Sequence, residues 1–481
     1  MKPSMPAPQT ALFPPAAERL RCDDLLTRAL EQARERIRQG SVVPTPDRSA
    51  FAQELTEFDF QRPRPLDEVL KWTTASLECG LVHVTHPRYF GLFNPAPTFP
   101  AACADRIAAT FNPQLATATT SPAAVAIEAH VIRAVAQRAG LPSDAIGHFT
   151  SGGSEANYTA LICALTRANE RFARDGARAF AGPPVFYVSR ESHLAWLKIA
   201  HQAGVGRAAV RLVATDGCGR MAVEALRAAL LDDRANGCVP VMVAATAGTT
   251  NAGMIDPLLP CFEIARANDL WFHVDAAWGG AVIASDHRRA VLEGIGLADS
   301  ITIDAHKWFA TTMGCGMFIT RHAPILTAAF HVTAGFMPSN NPGLDPYVTS
   351  AQWSRRFLGL RLFLSLAVAG WAGYGDHVDR SIALAEMLKQ ELEARGWKIA
   401  NDSPLAVLCV TPPSGDPRAL VAEIVASGRA WVAATRFEDR DVIRVCISNG
   451  ETTAEDVAIL ITALEHAAAR SASKPVPERS V

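Results

Sequence analysis

The feature that most limits how this chain can fold is a rhythm in its middle. Short apolar runs recur at Ile146–Thr150, Val185–Ser189, Ala209–Leu212, Val241–Thr246, Trp271–Asp275, Ser300–Ile303 and Gly316–Thr320. Each is followed by a break rich in Gly, Ser or Asp and then by a longer stretch with helical spacing. A half-exposed strand alternates apolar and polar residues, whereas a continuous apolar run belongs to a strand covered on both faces. Such strands alternating with helices predict an α/β fold with a mainly parallel sheet.

The flanks read differently. Leu20, Leu25, Leu26, Leu30 and Ile37 fit one amphipathic helix from Ala16 to Gln39, and Leu66, Val69, Leu70 and Trp72 fit another from Pro65 to Cys79. Helical patterns continue at Ala101–Thr110 and Ser121–Ala139. Beyond the strand block a long helix is expected from about Ser354 to Gly370 and another over Asp379–Arg395. Strands near Ala406–Val410, Trp431–Arg436 and Val442–Ser448, with helices at Ala419–Ala426 and from Thr453 to Ala469, suggest a small α+β domain. The expected division is therefore an N-terminal helical segment (1–95), a large domain (96–370), a small C-terminal domain (371–470) and a solvated tail (471–481).

Composition narrows the setting. The 481 residues carry a net charge of −2, which advertises neither nucleic acid nor an acidic membrane as partner. No apolar stretch is long enough to span a bilayer. The 10 cysteines form no CxxC pair and follow no secretory signal, so reduced thiols and a cytoplasmic location are expected.

Chemistry concentrates where strands end. Ser300-Ile301-Thr302-Ile303-Asp304-Ala305-His306-Lys307-Trp308 sets a lysine just past an apolar strand. On its own such a lysine reads as a surface loop residue, or else as a desolvated amine ready to form a Schiff base. Phe149-Thr150-Ser151-Gly152-Gly153-Ser154-Glu155-Ala156-Asn157 ends a strand and opens a helix. It is an ordinary turn, or a place where free N–H groups meet an anion. Thr246 to Pro257 puts two hydroxyls, Thr249 and Thr250, at another strand end, with Asp256 shortly after. Phe272-His273-Val274-Asp275-Ala276-Ala277 puts an aspartate at a third, and His193 follows a fourth. An anion binder at Gly153 and Ser154, a carboxylate at Asp275 and an amine at Lys307 together meet the needs of pyridoxal 5'-phosphate. The phosphate takes the helix start, the carboxylate keeps the ring nitrogen protonated, and the lysine forms the imine.

These motifs carry a resemblance. His-Pro-Arg-Tyr-Phe, Ser-Gly-Gly-Ser-Glu-Ala-Asn, His-Val-Asp-Ala-Ala-Trp-Gly-Gly, Asp-Ala-His-Lys-Trp and Arg-Val-Cys-Ile-Ser-Asn run through roughly residues 60–470. The chain resembles the group II pyridoxal-phosphate decarboxylases, related to glutamate, cysteine-sulfinate and aromatic L-amino-acid decarboxylases. The resemblance implies a fold type I, PLP-dependent transferase-like large domain and decarboxylation of an L-amino acid to an amine and CO2. It implies that Lys307 bears the cofactor with His306 beside it, that His193 stacks on the ring, and that Asp275 pairs with its nitrogen above Ala277. Gly153, Ser154 and Thr250 are then expected around the phosphate, with Asp256 supporting the site. Arg444 is expected on the substrate carboxylate, and Phe93, Asn94 and Gln114 along the side-chain pocket.

The resemblance also implies a mobile lid whose tyrosine protonates the carbanion; the matching segment is Phe336–Tyr347, rich in Pro, Gly and Asn as a lid requires, with Tyr347 as the donor. The family's active site is completed by a second subunit, which implies a homodimer and puts Cys315 near the partner's cofactor phosphate. Aldehyde synthase, aminotransferase and carbon–carbon lyase activities on the same fold are the alternatives to be separated. The small and polar residues at 112–117 weaken an aromatic assignment without establishing an acidic one.

Overall fold

The computed structural model describes residues 12–332 and 345–472. The strands of the middle block are β1 (Ile146–Thr150), β2 (Pro184–Ser189), β3 (Val210–Val213), β4 (Val239–Thr246), β5 (Trp271–Asp275), β6 (Ser300–Asp304) and β7 (Gly316–Thr320). They form one sheet in the order β1-β7-β6-β5-β4-β2-β3. β3, β2, β4, β5 and β6 run parallel, and β7 is inserted antiparallel between β6 and β1. β1 therefore points the same way as β6, so the C-terminal ends of β1, β4, β5 and β6 open on one edge. The mainly parallel sheet expected from the apolar runs is present, with β7 as its reversed strand.

The continuous apolar runs have a direct cause. Successive side chains of a strand point to opposite faces, and in β2 Val185 and Tyr187 enter one core while Phe186 and Val188 enter the other. One face is covered by the helix α6 (Gly153–Ala168), through Ala156, Ala160, Leu161 and Ala164. The opposite face takes Val131, Ile132 and Val135 of the helix Pro122–Arg138 and Leu362, Val378 and Leu388 of the long helix Gly359–Ala394. Every residue of β5 and β6 is buried.

Two helical details differ from the sequence reading. The long helix joins what the pattern read as two, with one break at Gly370, where φ is 64° and ψ −179°. Glycine reaches that left-handed φ without a steric penalty, so the chain kinks there and resumes. A helix at Arg48–Thr56 was not expected; Asp47 caps it by accepting the N–H groups of Ser49 and Ala50. It buries none of its residues, so it has no apolar stripe to reveal it.

The C-terminal part forms a second, antiparallel sheet in the order β10-β11-β9-β8, from β8 (Lys398–Ile399), β9 (Val407–Thr411), β10 (Ala433–Phe437) and β11 (Arg440–Cys446). It sits on the loop that follows β4. Asn401 Nδ2 donates to Ala252 O at 2.7 Å, and Ser403 Oγ donates to Gly253 O at 2.7 Å. Those bonds bring β11, and Arg444 with it, against the open edge of the large sheet. Among the described residues no helix is long and apolar enough to cross a membrane.

Candidate active site

A cavity of about 300 Å³ lies at that edge. Ligands of open α/β sheets collect beyond the C-terminal strand ends, and each strand there delivers one part of the lining.

β6 ends at Asp304, and the chain turns tightly so that Lys307 N–H donates to Asp304 O at 3.1 Å. The turn folds the lysine back over its own strand end, and Lys307 Nζ stands 3.0 Å from Asp304 Oδ2. The Asp304 side chain is 2% exposed and that of Lys307 23%. Lys307 is thus neither a free surface lysine nor a buried orphan, since its ammonium has one carboxylate partner and faces the cavity. His306 Nδ1 accepts the backbone N–H of Cys315 at 3.2 Å, which leaves the ring's proton on Nε2. That nitrogen lies 3.9 Å from Asp304 Oδ2.

β5 ends at Asp275, which is 5% exposed. Its Oδ1 accepts the N–H of Ala277 at 3.1 Å and its Oδ2 accepts Asn157 Nδ2 at 2.8 Å. β1 runs into α6 through Gly152 and Gly153. A Cβ on Gly153 would sit 2.9 Å from Asp304 Oδ2 and 3.3 Å from Ala277 Cβ, so only glycine permits this approach. The free N–H groups of the first turn of α6 then face the cavity beside Ser154, as an anion requires. β4 contributes Thr246, Gly248 and Thr250. Gly248, at φ 102°, makes the turn that brings Trp278 against it.

His193 follows β2 and borders the cavity, its Nδ1 accepting the N–H of Ala195 at 3.1 Å. Burial holds its imidazole below the usual range, against the opposing pull of Asp275. The far wall is aromatic. Phe93 stacks on Trp278 at 4.5 Å and Trp278 on Trp308 at 4.8 Å, with the two indoles 7° from parallel. Behind Phe93 stands Arg444, 3% exposed, with its guanidinium carbon 4.5 Å from the ring centroid. Arg444 Nε donates to Thr250 O at 2.9 Å and one terminal nitrogen donates to Gly91 O. The other terminal nitrogen is buried without a partner. A buried, unpaired charged donor is expensive, and a ligand carboxylate is the chemical group that would satisfy it.

The structure therefore brings together Lys307, His306, Asp275, Ala277, Gly153, Ser154, Thr250, His193 and Phe93 on one cavity, with Arg444 adjoining it. Five other expected residues stand elsewhere. Asp256 lies behind β4, where its oxygens accept the N–H groups of Met221 and Thr246 at 2.7 and 2.8 Å. It fastens the strand end from within, and burial pushes its carboxyl up to about 7. Asn94 is not among the lining residues. Gln114 folds onto its own loop, accepting the N–H of Ala116 at 2.6 Å, and borders a separate apolar groove.

Cys315 does not line its own chain's cavity; it is fully buried beneath Leu358, its thiol pushed up to about 12 by burial. Tyr347 packs against Ala116, Val348 and Trp353, with ring centroids 4.9 Å apart in the last pair, and does not line its own chain's cavity. The rest of the expected lid, residues 336–344, lies outside the described residues.

The sequence reading missed Asp304, Asn157 and Glu155, all of which line the cavity. Asp304 and Asn157 could have been found: one stands three residues before Lys307, the other four after Gly153 on the same helix face. Glu155 accepts the N–H and hydroxyl of Ser151 at 2.8 and 2.7 Å and a Gln352 amide at 2.6 Å, tying the mouth of the cavity to the segment before the long helix.

Known proteins share much of this chain's sequence and fold. The family described as pyridoxal-dependent decarboxylase conserved domain matches residues 52–410. An aromatic-L-amino-acid decarboxylase of Bacillus atrophaeus is 29% identical over 437 residues, covering 88% of this chain and 89% of that protein. An L-2,4-diaminobutyrate decarboxylase of Rhizobium meliloti (strain 1021) is 31% identical over 411 residues, or 79% of this chain and 80% of that one. The crystal structure of mouse CSAD superposes with a TM-score of 0.88 at 26% identity, over 94% of this chain and 99% of that chain.

Pyridoxal 5'-phosphate is the cofactor, and the residues at the cavity fit it. The glycine approach at the start of α6 suits its phosphate, Asp275 suits its ring nitrogen, and Lys307 is the amine within the same space. The chain belongs to the pyridoxal-dependent decarboxylase family and is a pyridoxal-phosphate-dependent amino-acid decarboxylase.

Proposed function

We propose that the cavity removes CO2 from a free L-amino acid and releases the corresponding amine, with Lys307 as the residue that carries the cofactor. The observation that supports this most directly is the shared opening of Lys307 and Asp275 on one cavity, with the unpaired nitrogen of Arg444 beside it. When bound, the cofactor supplies an electron sink for the pair left by the departing CO2. Asp275 presents an oriented carboxylate to the ring nitrogen, and the α6 N-terminus with Ser154 takes the phosphate. Arg444 offers its free N–H donors to the substrate carboxylate, in keeping with the planar fork of a guanidinium.

Asp304 holds the Lys307 ammonium at the cavity in the cofactor-free protein. Lys307 Nζ and the imidazoles of His193 and His306 are proton carriers bordering the cavity. Tyr347, expected from the resemblance to return the proton to Cα, stands outside its own chain's cavity, so in this reading the second subunit of the homodimer supplies that phenol.

A homodimer belongs to the same reading, and unpartnered apolar surface supports it. Phe99, Ile107 and Phe111 of the helix Phe99–Phe111 are 70%, 42% and 78% exposed. Leu20, Leu30, Leu66 and Leu77 of the two long N-terminal helices are exposed as well. An apolar surface of that kind marks an interface.

The deciding experiment is a panel of L-amino acids incubated with the protein and pyridoxal 5'-phosphate, with CO2 and organic product both identified. Equal amounts of CO2 and amine are expected from the preferred substrate, and the panel identifies its side chain. Aldehyde with hydrogen peroxide, keto-acid exchange, or no CO2 from any amino acid would overturn the reading.

A further inference from the structure

Asp275 is held by more than its own loop. Its Oδ2 accepts Asn157 Nδ2 at 2.8 Å, and Asn157 Oδ1 meets His273 Nε2 at 3.0 Å. His273 Nδ1 meets Ser300 Oγ at 2.8 Å, and Ser300 Oγ accepts Trp271 Nε1 at 2.8 Å. Trp271, Ser300 and His273 are fully buried, and Asn157 and Asp275 are 3% and 5% exposed.

The direction of the bonds in this chain follows from its carboxylate end. A carboxylate accepts only, so the amide NH2 of Asn157 must face Asp275 and its carbonyl must face His273. His273 must then carry its proton on Nε2. With that proton on Nε2, Nδ1 is an acceptor, so the Ser300 hydroxyl, which accepts Trp271 Nε1, donates to it.

We propose that Asn157 and His273 are positioning residues for the ring-nitrogen carboxylate: they fix Asp275 as an oriented acceptor facing the cofactor, with Ser300 and Trp271 bracing the far side of the imidazole. Burial lowers His273 to about 4, so at neutral pH its ring carries the single proton that the chain requires. The placement explains why these residues come from distant parts of the sequence. His273 and Ser300 are paired across β5 and β6, and Asn157 lies one turn into α6, whose first turn faces the phosphate. One helix thereby sets both ends of the cofactor, the phosphate through its N-terminus and the ring nitrogen through Asn157 and Asp275. A rotated Asn157 would turn a carbonyl toward Asp275 and place two acceptors in contact, which a buried site does not tolerate.

This inference rests on Asp275 being the ring-nitrogen partner, and the test separates the two. Dissociation constants are measured for pyridoxal 5'-phosphate and for its 1-deaza analogue, in which CH replaces the ring nitrogen, on the wild type and on Asn157→Leu. The wild type is expected to prefer the natural cofactor by about tenfold or more, the scale of one charge-assisted hydrogen bond. Asn157→Leu should lose most of that preference while binding the deaza analogue as the wild type does. Equal weakening toward both cofactors would reduce Asn157 to a packing residue and overturn the proposal. No preference in the wild type would overturn the role of Asp275, and this proposal with it.

Should Asn157→Leu fail to fold, spectra of wild-type protein labelled with 15N-histidine decide the matter. A neutral His273 protonated on Nε2 is required, and protonation on Nδ1 would end the proposal.

Discussion

Lys307 is defined by its neighbour. An ammonium 3.0 Å from a carboxylate that is 2% exposed has a fixed position and a counter-charge before any ligand arrives. Removing one member of such a pair leaves the other without its partner at a partly desolvated site. Asp304→Asn is therefore expected to lower the stability of the cofactor-free protein by about 1–3 kcal/mol. Urea unfolding would show this, and an unchanged midpoint would mean that the pair contributes nothing. Lys307→Ala should abolish the visible absorbance that appears when the protein is mixed with pyridoxal 5'-phosphate; retention of that band with full turnover would remove Lys307 from its assigned role.

Tyr347 makes the opposite case, because its sequence position suggested chemistry while its packing against Trp353 and Ala116 suggests structure. Tyr347→Phe keeps the ring and removes only the hydroxyl, so with the phenol of a second subunit as proton donor the product is expected to shift from amine toward aldehyde. Amine as the sole product would remove the phenol from that role.

Among the elements, the start of α6 carries the tightest constraint. Gly153 lies where a methyl group would press on Asp304 and Ala277, and the Asp304 carboxylate it meets is already held against Lys307 Nζ. Gly153→Ala should displace the first turn of α6 and weaken cofactor binding by about tenfold or more, as loss of one charged hydrogen bond would. Equilibrium dialysis against pyridoxal 5'-phosphate tests this, and wild-type affinity would show that the helix start has slack.

The strands were legible in the sequence for the same reason that they form the frame. Burial on both faces leaves each one a continuous apolar word, as in Trp271–Asp275, all of it buried. The helix at Arg48–Thr56 was not legible, since it buries nothing. The break at Gly370 was read as a helix end because a lone glycine looks the same whether the helix stops or kinks.

At the scale of the molecule, buried histidines set part of the response to pH. Burial lowers His86 from 6.5 to about 4, and His148 and His273 are lowered too. A folded-state value below the unfolded one means that the unfolded chain binds the extra proton. The stabilisation from each ring is therefore complete above about 6.5 and is lost as pH falls toward 4. Asp256, pushed up to about 7, works the other way, its folded form holding the proton that the unfolded chain releases.

His86→Gln isolates one such contribution away from the cavity. Its unfolding free energy should vary less steeply with pH between about 6.5 and 4, by about 1.4 kcal/mol per unit. Parallel slopes for variant and wild type in urea titrations would contradict this.

The sequence by itself determined the fold class and the chemical parts. Continuous apolar runs required a sheet covered on both faces, and the Lys307, Asp275 and Gly153 motifs named a cofactor, because residue types at strand ends are local properties of a chain. Which parts meet was decided only by the tertiary structure. Inserting β7 antiparallel brings β1 parallel to β6 and sets the first turn of α6 beside Asp304. The same topology carries Asn157 to His273 and Asp275, more than a hundred residues away. It also buries Cys315 and Tyr347 within their own chain, away from the cavity. Contacts between residues far apart in the chain depend on strand order and register, and no local pattern of side chains encodes them.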